Sequence, residues 1–385
     1  MTGTATATAA EAVLAAVHDL APAIGRRAAR IERARRLPAD LLDELHRAGC
    51  FRMLRPPGHG GLGVAVPEAM RVYEALAAAD ASVGWTVMIG SAAWCDLVGL
   101  PRAAFDALFA GRPDAVVGGT INPCGRAERV EGGYRVSGRW PFASGCEHSD
   151  WLFGNCVEEV GDEQRMRIVV LAPGDVTIQD TWTVSGLAGT GSHHFRAEEV
   201  LVPAERSFDL FTAEPCLDEP IARIPPPALP ALCIASTALG VAGGALAEIR
   251  DVATGKVPLL ASAALAANPL FQYQLATADT DLRAARALLH AEAADAWTTA
   301  SARAPLTLDQ RARIRSAAVW ATTRAAAVVD FAYHAGGGGA LYATSPLQRR
   351  LRDVHAITQH FVVRPDTMTT AGAVLAGQEI TAPIF

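Results

Sequence analysis

The chain has 385 residues, of which 50% are hydrophobic, 6% aromatic and 19% charged. A chain of this length and composition can bury a large core, and we expect it to divide into two or three domains. The net charge of −6 and the lack of a long basic stripe in the sequence argue against a nucleic-acid partner.

The seven cysteines are scattered, and no two of them form a CxxC pair. Their number and spacing predict neither a metal site nor a disulfide framework, so we expect a reduced, cytoplasmic setting. The first residues, MTGTATATAAEAV, lack the charged and apolar regions of a signal peptide.

Residues 1–114 are predicted to form a helical domain. Apolar residues recur at three- and four-residue spacing over residues 11–35, and further helices are predicted at 40–50 and 67–80. Between them, residues 58–63 fit the pattern GxGxxG. Dinucleotide binding would require a βαβ unit around this pattern, and the helical surroundings predict a flexible turn instead.

From about residue 115 the hydrophobic period changes to two, which predicts a β-domain over residues 115–214. The stretch AERVEGGYRVSGRWPF predicts a hairpin that turns at two glycines, 132 and 133. Residues 146–150, CEHSD, are dense in potential metal ligands. Successive side chains of an extended segment point to opposite faces, so a polar turn after a strand is the favoured interpretation.

Residues 215–385 are predicted to form a helical bundle that follows a proline-rich linker at 215–230. The uncharged stretch 225–247 is long enough to cross a membrane, but its prolines and small residues favour a helix buried in the bundle. We therefore expect no membrane association. The last predicted helix, 346–361, carries His355 and His360, which lie on different faces because they are five residues apart. The pattern leaves open which of them faces a site.

The ordered motifs resemble the acyl-CoA dehydrogenase superfamily over nearly the full length. They are PPGHGGLG, SGLAGTGSHHF with VLVP, ATGKVP, LLASAALAANPLFQYQLATADTDLRAARALL and LRDVHAITQHF. The resemblance implies a mostly α fold with an N-terminal helical domain, a middle β-barrel or sandwich and a C-terminal four-helix bundle. It also implies a flavin between the last two domains and a homotetramer or homodimer, usually with a neighbouring subunit closing the site.

The sequence departs from the dehydrogenases where their chemistry is defined. Their glutamate base usually follows an Arg-Asp pair near the C-terminus, and Ala356 stands at that position here. Residues 220–247, which include the alternative position of the base, contain no acidic residue. The departures resemble instead the oxygenase components of two-component flavin monooxygenases, among them phenol, indole, dibenzothiophene and amino-sugar oxygenases.

That resemblance implies roles for particular residues. Ser144, in GRWPFASG, would lie beside the N5/C4a edge of the flavin, and His360 would face the isoalloxazine. Asn122 and Pro123, expected in the loop before the hairpin, would lie near the flavin. The implied cofactor-binding residues are Asn122, Pro123, Phe142, Ser144, Thr190, Gly191, Ser192 and Thr358, and the implied substrate-binding residues are Trp85, Ser91, Trp94 and His148.

The implied reaction is a monooxygenation. A separate reductase would supply reduced FMN or FAD, dioxygen would add at the flavin C4a, and the resulting hydroperoxide would hydroxylate a small aromatic or natural-product substrate. Two alternatives stay open at this point. One is an acyl-CoA dehydrogenase-type flavoprotein that oxidises a thioester, and the other is a non-catalytic subunit with the same fold.

Overall fold

The first third of the chain is helical, as predicted. In the computed structural model, which describes residues 3–380, it contains α1 (Gly3–Ala34), α2 (Ala39–Arg47), α3 (Val66–Ala79), α4 (Ala81–Ala92) and α5 (Arg102–Phe109). The glycine-rich stretch between α2 and α3 is a turn. Gly60 and Gly63 have φ angles of 77° and 59° there, a conformation that favours glycine.

The middle of the chain forms one sheet. Its strands are β1 (Val117–Val130), β2 (Gly133–Trp140), β3 (Trp151–Val160), β4 (Glu163–Leu171), β5 (Thr177–Gln179), β6 (His194–Pro203) and β7 (Ser207–Asp209), in the order β5-β6-β2-β1-β3-β4-β7. β1 and β2 form the predicted hairpin, with Val130 opposite Gly133. β1 pairs with β3 in parallel, and the register of this pair shifts between Thr120 and Gly125.

This shift corrects one expectation. Asn122 and Pro123 lie inside β1, at its irregularity, and not in a loop before the hairpin. A bulge lets a strand continue while a few residues leave the regular ladder, so a loop-like sequence can occur within a long strand.

The last part of the chain is a bundle of α6 (Ala228–Gly255), α7 (Pro269–Ser301), α8 (Leu308–Gly336), α9 (Pro346–Ile357) and α10 (Thr367–Leu375). α6 is long and apolar enough to cross a membrane, but 89% of its most apolar window is buried inside the protein. It is therefore the buried core helix that the composition predicts.

His360 does not lie on α9, contrary to the prediction of one helix that carries both histidines. The helix ends at Ile357, and the N–H groups of Gln359 and His360 bond three residues back, to Ala356 and Ile357. His360 then adopts an extended conformation and caps a short 3₁₀ turn, Phe361–Val363. The tight final turn therefore gives the His360 side chain a different direction from the one that a continued helix would give it.

Two hydrophobic cores organise these parts. The N-terminal helices, the bundle and one face of the sheet share one core, to which the strands contribute residues such as Phe153, Ile168 and Phe208. A second core lies within the sheet domain, where the rings of Trp140 and Phe195 stack 4.9 Å apart. Ala143 belongs to the second core and Leu187 to the first, so the segments that carry them lie where the two cores meet.

We expect Gly154→Ala to destabilise the sheet. A Cβ at Gly154 would lie 2.6 Å from the Trp140 ring, which is held by a hydrogen bond from its Nε1 to the Asn155 carbonyl oxygen. Overpacking of this kind costs about 1–3 kcal/mol. Thermal unfolding measures the effect, with Gly174→Ala as the control because a Cβ there meets nothing within 4 Å. Equal unfolding temperatures for the two variants would contradict this packing.

Candidate active site

Ser144 lies in the tight turn that follows β2. The turn is possible because Phe142 and Gly145 have left-handed φ angles of 65° and 70°. The backbone N–H of Gly145 donates to the carbonyl oxygen of Thr190 at 2.9 Å. The turn is thereby fastened to the segment 187–193, which leads into β6.

A chain of side-chain hydrogen bonds runs through Ser144. The indole Nε1 of Trp85 donates to the Ser144 Oγ at 2.9 Å. The Ser144 and Ser192 hydroxyl oxygens are 2.7 Å apart, and those of Ser192 and Thr190 are 2.6 Å apart. The Thr190 hydroxyl donates to the Leu187 carbonyl oxygen at 2.8 Å. All four side chains are buried, so the chain connects a helix of the first domain to a loop of the sheet domain.

The two fixed ends of this chain set the direction of its protons. Because Thr190 gives its proton to Leu187, Ser192 must donate to Thr190, and Ser144 must donate to Ser192. Ser144 also accepts from Trp85. A hydroxyl has one proton and two acceptor lone pairs. Ser144 therefore keeps one free lone pair and no free proton.

Asp353 holds the far end of this chain. Its Oδ1 accepts the backbone N–H of Leu187 at 2.7 Å, and the carboxylate is only 4% exposed. Leu187 needs this support because its φ angle of 54° is left-handed, which is unfavourable for a branched side chain. Burial, together with the neighbouring Asp80 carboxylate, raises the pKa of Asp353 to about 7.

His360 lies beside the Trp85 indole, with ring centroids 5.8 Å apart. Burial, assisted by the charge of Arg315, lowers the pKa of His360 to about 4, so the ring is neutral near pH 7. Its Nδ1 accepts the backbone N–H of Val362 at 3.4 Å. The proton of the neutral ring is therefore assigned to Nε2, which makes that atom a donor.

His355 points away from Ser144 and Trp85. Its side chain is exposed, and its Nε2 lies 2.8 Å from the Asp330 carboxylate on α8. Only His360 of the pair contacts Trp85 and thus the Ser144 group.

Asn122 and Pro123 lie at the irregular part of β1, next to the side chain of Asn155, which has a free hydrogen-bond acceptor. Asn155, on β3, donates its side-chain amide to the carbonyl oxygen of Ile121 at 2.9 Å. Its Oδ1 is buried and has no hydrogen-bond partner among the described residues. Asn122 itself is partly exposed and Pro123 is exposed.

Phe142 and Thr358 lie at the margin of the group. The Phe142 ring is 59% exposed and stands edge-on to the Trp182 and His194 rings at 6.3 and 6.4 Å. The Thr358 hydroxyl donates to the His355 carbonyl oxygen at 2.7 Å, at the end of α9. Gly191 has a left-handed φ of 53° between Thr190 and Ser192.

Ser91 and Trp94 are not brought together with Ser144. Ser91 is six residues from Trp85, about 600° around the helix, and therefore lies on a different face of α4. Its hydroxyl is 2.6 Å from the Tyr73 hydroxyl, in the core. The Trp94 ring is buried against Phe105, with centroids 6.2 Å apart. Their predicted contact with substrate stays a prediction.

His148 faces a small cavity behind the Ser144 turn. The cavity, of about 370 Å³, also borders Leu37 and Glu147, and burial lowers the pKa of His148 to about 4. The Cys146 thiol donates to the Gly191 carbonyl oxygen at 3.5 Å, and Glu147 pairs with Arg36 at 3.4 Å. These neighbours thus reach different partners, as expected for a polar turn.

Sequence reasoning missed two residues that hold the site. Asp353 stands in the Arg-Asp pair of the last motif, which gives no sign of a contact with the loop, and no pattern indicates a role for Leu187. A possible signal was Gly186: a Cβ there would lie 2.1 Å from the Arg352 carbonyl oxygen, so only glycine lets this loop reach α9.

Comparison with known proteins identifies relatives along the whole chain. Residues 8–99 match the family model of the acyl-CoA dehydrogenase N-terminal domain, and residues 232–365 match that of the acyl-CoA dehydrogenase C-terminal domain. The chain is 32% identical to an indole-3-acetate monooxygenase of Pseudomonas putida over 370 residues, which cover 96% of this chain and 93% of the relative.

Two further relatives have the same kind of name. One is the oxygenase component of an FADH2-dependent resorcinol hydroxylase of Rhizobium sp., with 32% identity over 88% of this chain and 87% of the relative. The other is the crystal structure of the HsaA monooxygenase of M. tuberculosis, with 28% identity, a TM-score of 0.91, and coverage of 98% of this chain and 100% of that chain.

We expect the stability of the wild type to fall more steeply with acid than that of His360→Gln. An unfolded histidine takes up a proton near pH 6.5, whereas folded His360 does so only near pH 4. Between these values proton uptake favours unfolding, by at most about 2 kcal/mol at about pH 5. Denaturant unfolding near pH 7.5 and near pH 5 measures the difference. His355→Gln controls for the substitution itself, and equal losses in wild type and His360→Gln would contradict the expectation.

We expect Asp353→Ala to loosen the segment 187–193. The change leaves the buried Leu187 N–H without an acceptor, at a cost of about 1–3 kcal/mol, whereas Asp353→Asn keeps an acceptor oxygen. Denaturant unfolding measures the stability, and amide hydrogen exchange measures the opening of the segment. Identical exchange in the two variants would show that the acceptor does not hold the loop.

Proposed function

Because the chain belongs to the acyl-CoA dehydrogenase superfamily, and within it to the oxygenase components of flavin-dependent monooxygenases, we propose that it hydroxylates a small aromatic or natural-product substrate with reduced flavin and dioxygen. The observation that carries the proposal is the group of Ser144, Trp85 and the partly buried His360, in which the first two side chains are buried. Bound reduced flavin would supply the two electrons that activate dioxygen, and dioxygen would be the source of the oxygen atom that is transferred.

Ser144 fits a reduced flavin in particular. Its hydroxyl has a free acceptor lone pair and no free proton, as the hydrogen-bond chain to Leu187 requires. Reduced flavin carries an N–H at N5, where oxidised flavin has only an acceptor nitrogen. A residue beside N5 that can accept but not donate favours the reduced form. Thr190, Gly191, Ser192, Asn122 and Pro123 are the other residues proposed to hold the flavin, together with Phe142 and Thr358 at its margin.

We propose that His360 and Trp85 keep the reacting region uncharged and exclude water from it, and that His360 also supplies a hydrogen-bond donor. A neutral His360 offers its Nε2 proton as a donor without introducing a positive charge. The indole of Trp85 is 7% exposed and covers Ser144 on the side of the helical domain. Exclusion of water matters because it limits unproductive release of activated oxygen as peroxide.

Dehydrogenation is disfavoured because neither position considered offers a carboxylate that can act as the base. Abstraction of an α-proton needs a carboxylate with free access to the substrate, and Ala356 stands where the dehydrogenases usually have it. The nearest acid on α9, Asp353, is buried and accepts the Leu187 N–H. It is committed to the loop and cannot serve as the missing base.

The proposed partners follow from the same relatives. The name "oxygenase component" supports a separate reductase that supplies reduced FMN or FAD. A homotetramer or homodimer is supported by exposed apolar side chains in the connection between α6 and α7, where Leu259 and Leu260 are 93% and 99% exposed. Two relatives are named for aromatic compounds, indole-3-acetate and resorcinol, which supports an aromatic substrate. Seven unpaired cysteines fit a cytoplasmic setting.

We expect the protein to bind reduced flavin more tightly than oxidised flavin, and Ser144→Ala to reduce that preference about tenfold, the equivalent of one hydrogen bond of about 1.4 kcal/mol. Anaerobic titration with FMN and with FAD in both redox states measures the ratio. Ser137→Ala is the matched control, because its hydroxyl bonds Glu199 on the surface of the sheet.

Rapid mixing with oxygen provides a second measurement of the same variants. With a reductase, NADH and oxygen, we expect the wild type to reoxidise flavin at a rate distinct from that of free flavin, and Ser144→Ala and His360→Ala to move the rate toward the free value. Reoxidation at the free-solution rate by all three proteins would refute the proposed function.

A further inference from the structure

A large open cleft lies between α1, α3 and α7. Its volume is about 920 Å³, which is within the range of ligand sites in proteins. α1 contributes Leu14 and His18, α3 contributes Arg71 and Glu74, and α7 contributes residues from 280–290. On each helix these residues are three or four positions apart, so each helix presents one face to the cleft. None of the lining residues belongs to the Ser144 group.

The lining of this cleft is cationic, although the chain as a whole carries a net charge of −6. Among the described residues, the lining holds three arginines and two histidines but a single acid. Glu68, outside the lining, accepts a hydrogen bond from Arg71 at 2.9 Å. Asp279 lies 3.2 Å from Arg250 and 3.9 Å from Arg283. Arg283 therefore has no hydrogen-bonded acid within residues 3–380, and its side chain is 75% exposed.

Glu74, the acid of the lining, holds two of the cations in place. It is buried, and its Oε2 accepts the Nε–H of Arg286 at 2.6 Å. Its Oε1 lies 2.6 Å from the Nε2 of His290, which must carry a proton because a carboxylate only accepts. The bond from Arg286 uses Nε alone. Its two terminal nitrogens have no hydrogen-bond partner within residues 3–380, so they stay available to the cleft.

This arrangement exceeds what a salt bridge between α3 and α7 requires. One cation is enough to neutralise Glu74, whereas two contact it and Arg283 stands unpaired by any hydrogen bond beside them. The terminal nitrogens of a guanidinium form a planar fork that matches a carboxylate or a phosphate. Leu14, Ala284 and Ala287 give the same cleft an apolar side. A cationic end and an apolar side together fit an organic anion.

We propose that the cleft between α1, α3 and α7 binds a small organic anion. The carboxylate or phosphate group of the ligand lies between Arg283 and Arg286, which are neighbours on the surface of α7. The apolar part of the ligand contacts Leu14 and the two alanines. The inference goes beyond the proposed function, because the ligand is neither the flavin nor the oxidised substrate and its site shares no residue with the Ser144 group.

Three probes test the charge preference by calorimetry at neutral pH and low salt. Phenyl phosphate, benzoate and benzyl alcohol carry a phosphate, a carboxylate and a neutral hydroxyl group on the same ring. We expect the wild type to bind at least one of the two anions about tenfold more tightly than benzyl alcohol, because hydrogen bonds to a charged group are the stronger ones. The anion that binds more tightly identifies the group for which the site is built.

Arginine variants locate the binding. Arg283→Met removes an exposed guanidinium that does not contact Glu74, and it should weaken the binding of the tighter anion about tenfold. Arg286→Met should weaken it at least as much. Arg286→Lys, which keeps the charge but not the planar fork, should restore only part of the affinity. Arg165→Met, at an exposed position on β4, is the matched control and should bind like the wild type.

Thermal unfolding with the tighter anion separates a binding role from a structural one. A ligand of the native state raises the unfolding temperature by mass action, so we expect a rise for the wild type and Arg165→Met and a smaller rise for Arg283→Met. Equal affinities of the wild type for benzyl alcohol and both anions, binding of none of the three probes, or an unchanged affinity in Arg283→Met would overturn the proposal.

Discussion

The candidate active site depends on one hydrogen bond, from the backbone N–H of Leu187 to the carboxylate of Asp353. It fixes a loop residue in a left-handed conformation, and the carbonyl oxygen of that residue is the terminal acceptor of the chain from Trp85. A helix of the bundle thereby determines where a hydroxyl of the sheet domain points. Because each hydroxyl in the chain has one proton, the fixed acceptor at Leu187 also determines which lone pair of Ser144 stays free.

The two hydrophobic cores explain why this hydrogen bond is needed. The N-terminal helices and the bundle form one packed body, helped by close approaches such as that of Gly240 to the Glu74 backbone. One face of the sheet joins the same core through residues such as Phe153, Ile168 and Phe208, and a second cluster surrounds Trp140. Apolar packing is not directional, so it does not set the position of the sheet relative to the helices to within a hydrogen bond. Directional polar contacts at the junction do this, and they are strong because the junction is buried.

Local patterns predicted the elements well and the site only in part. The change of period near residue 115, the hairpin turn and the buried character of α6 can be read from neighbouring residues. The hydroxyl chain cannot, because it joins residues 85, 144 and 192, which no periodicity connects. Ser144 and His360 are predicted only from the resemblance to a family. The helical pattern wrongly extends α9 to His360, because a final tight turn has no strong sequence signal.

The charges around the site suggest how one scaffold can serve many substrates. Near Ser144 the polar groups are neutral: hydroxyls, an indole N–H and a histidine whose pKa is held near 4. A neutral group whose protons are directed by its own hydrogen bonds favours the same chemistry whatever charge the substrate carries elsewhere.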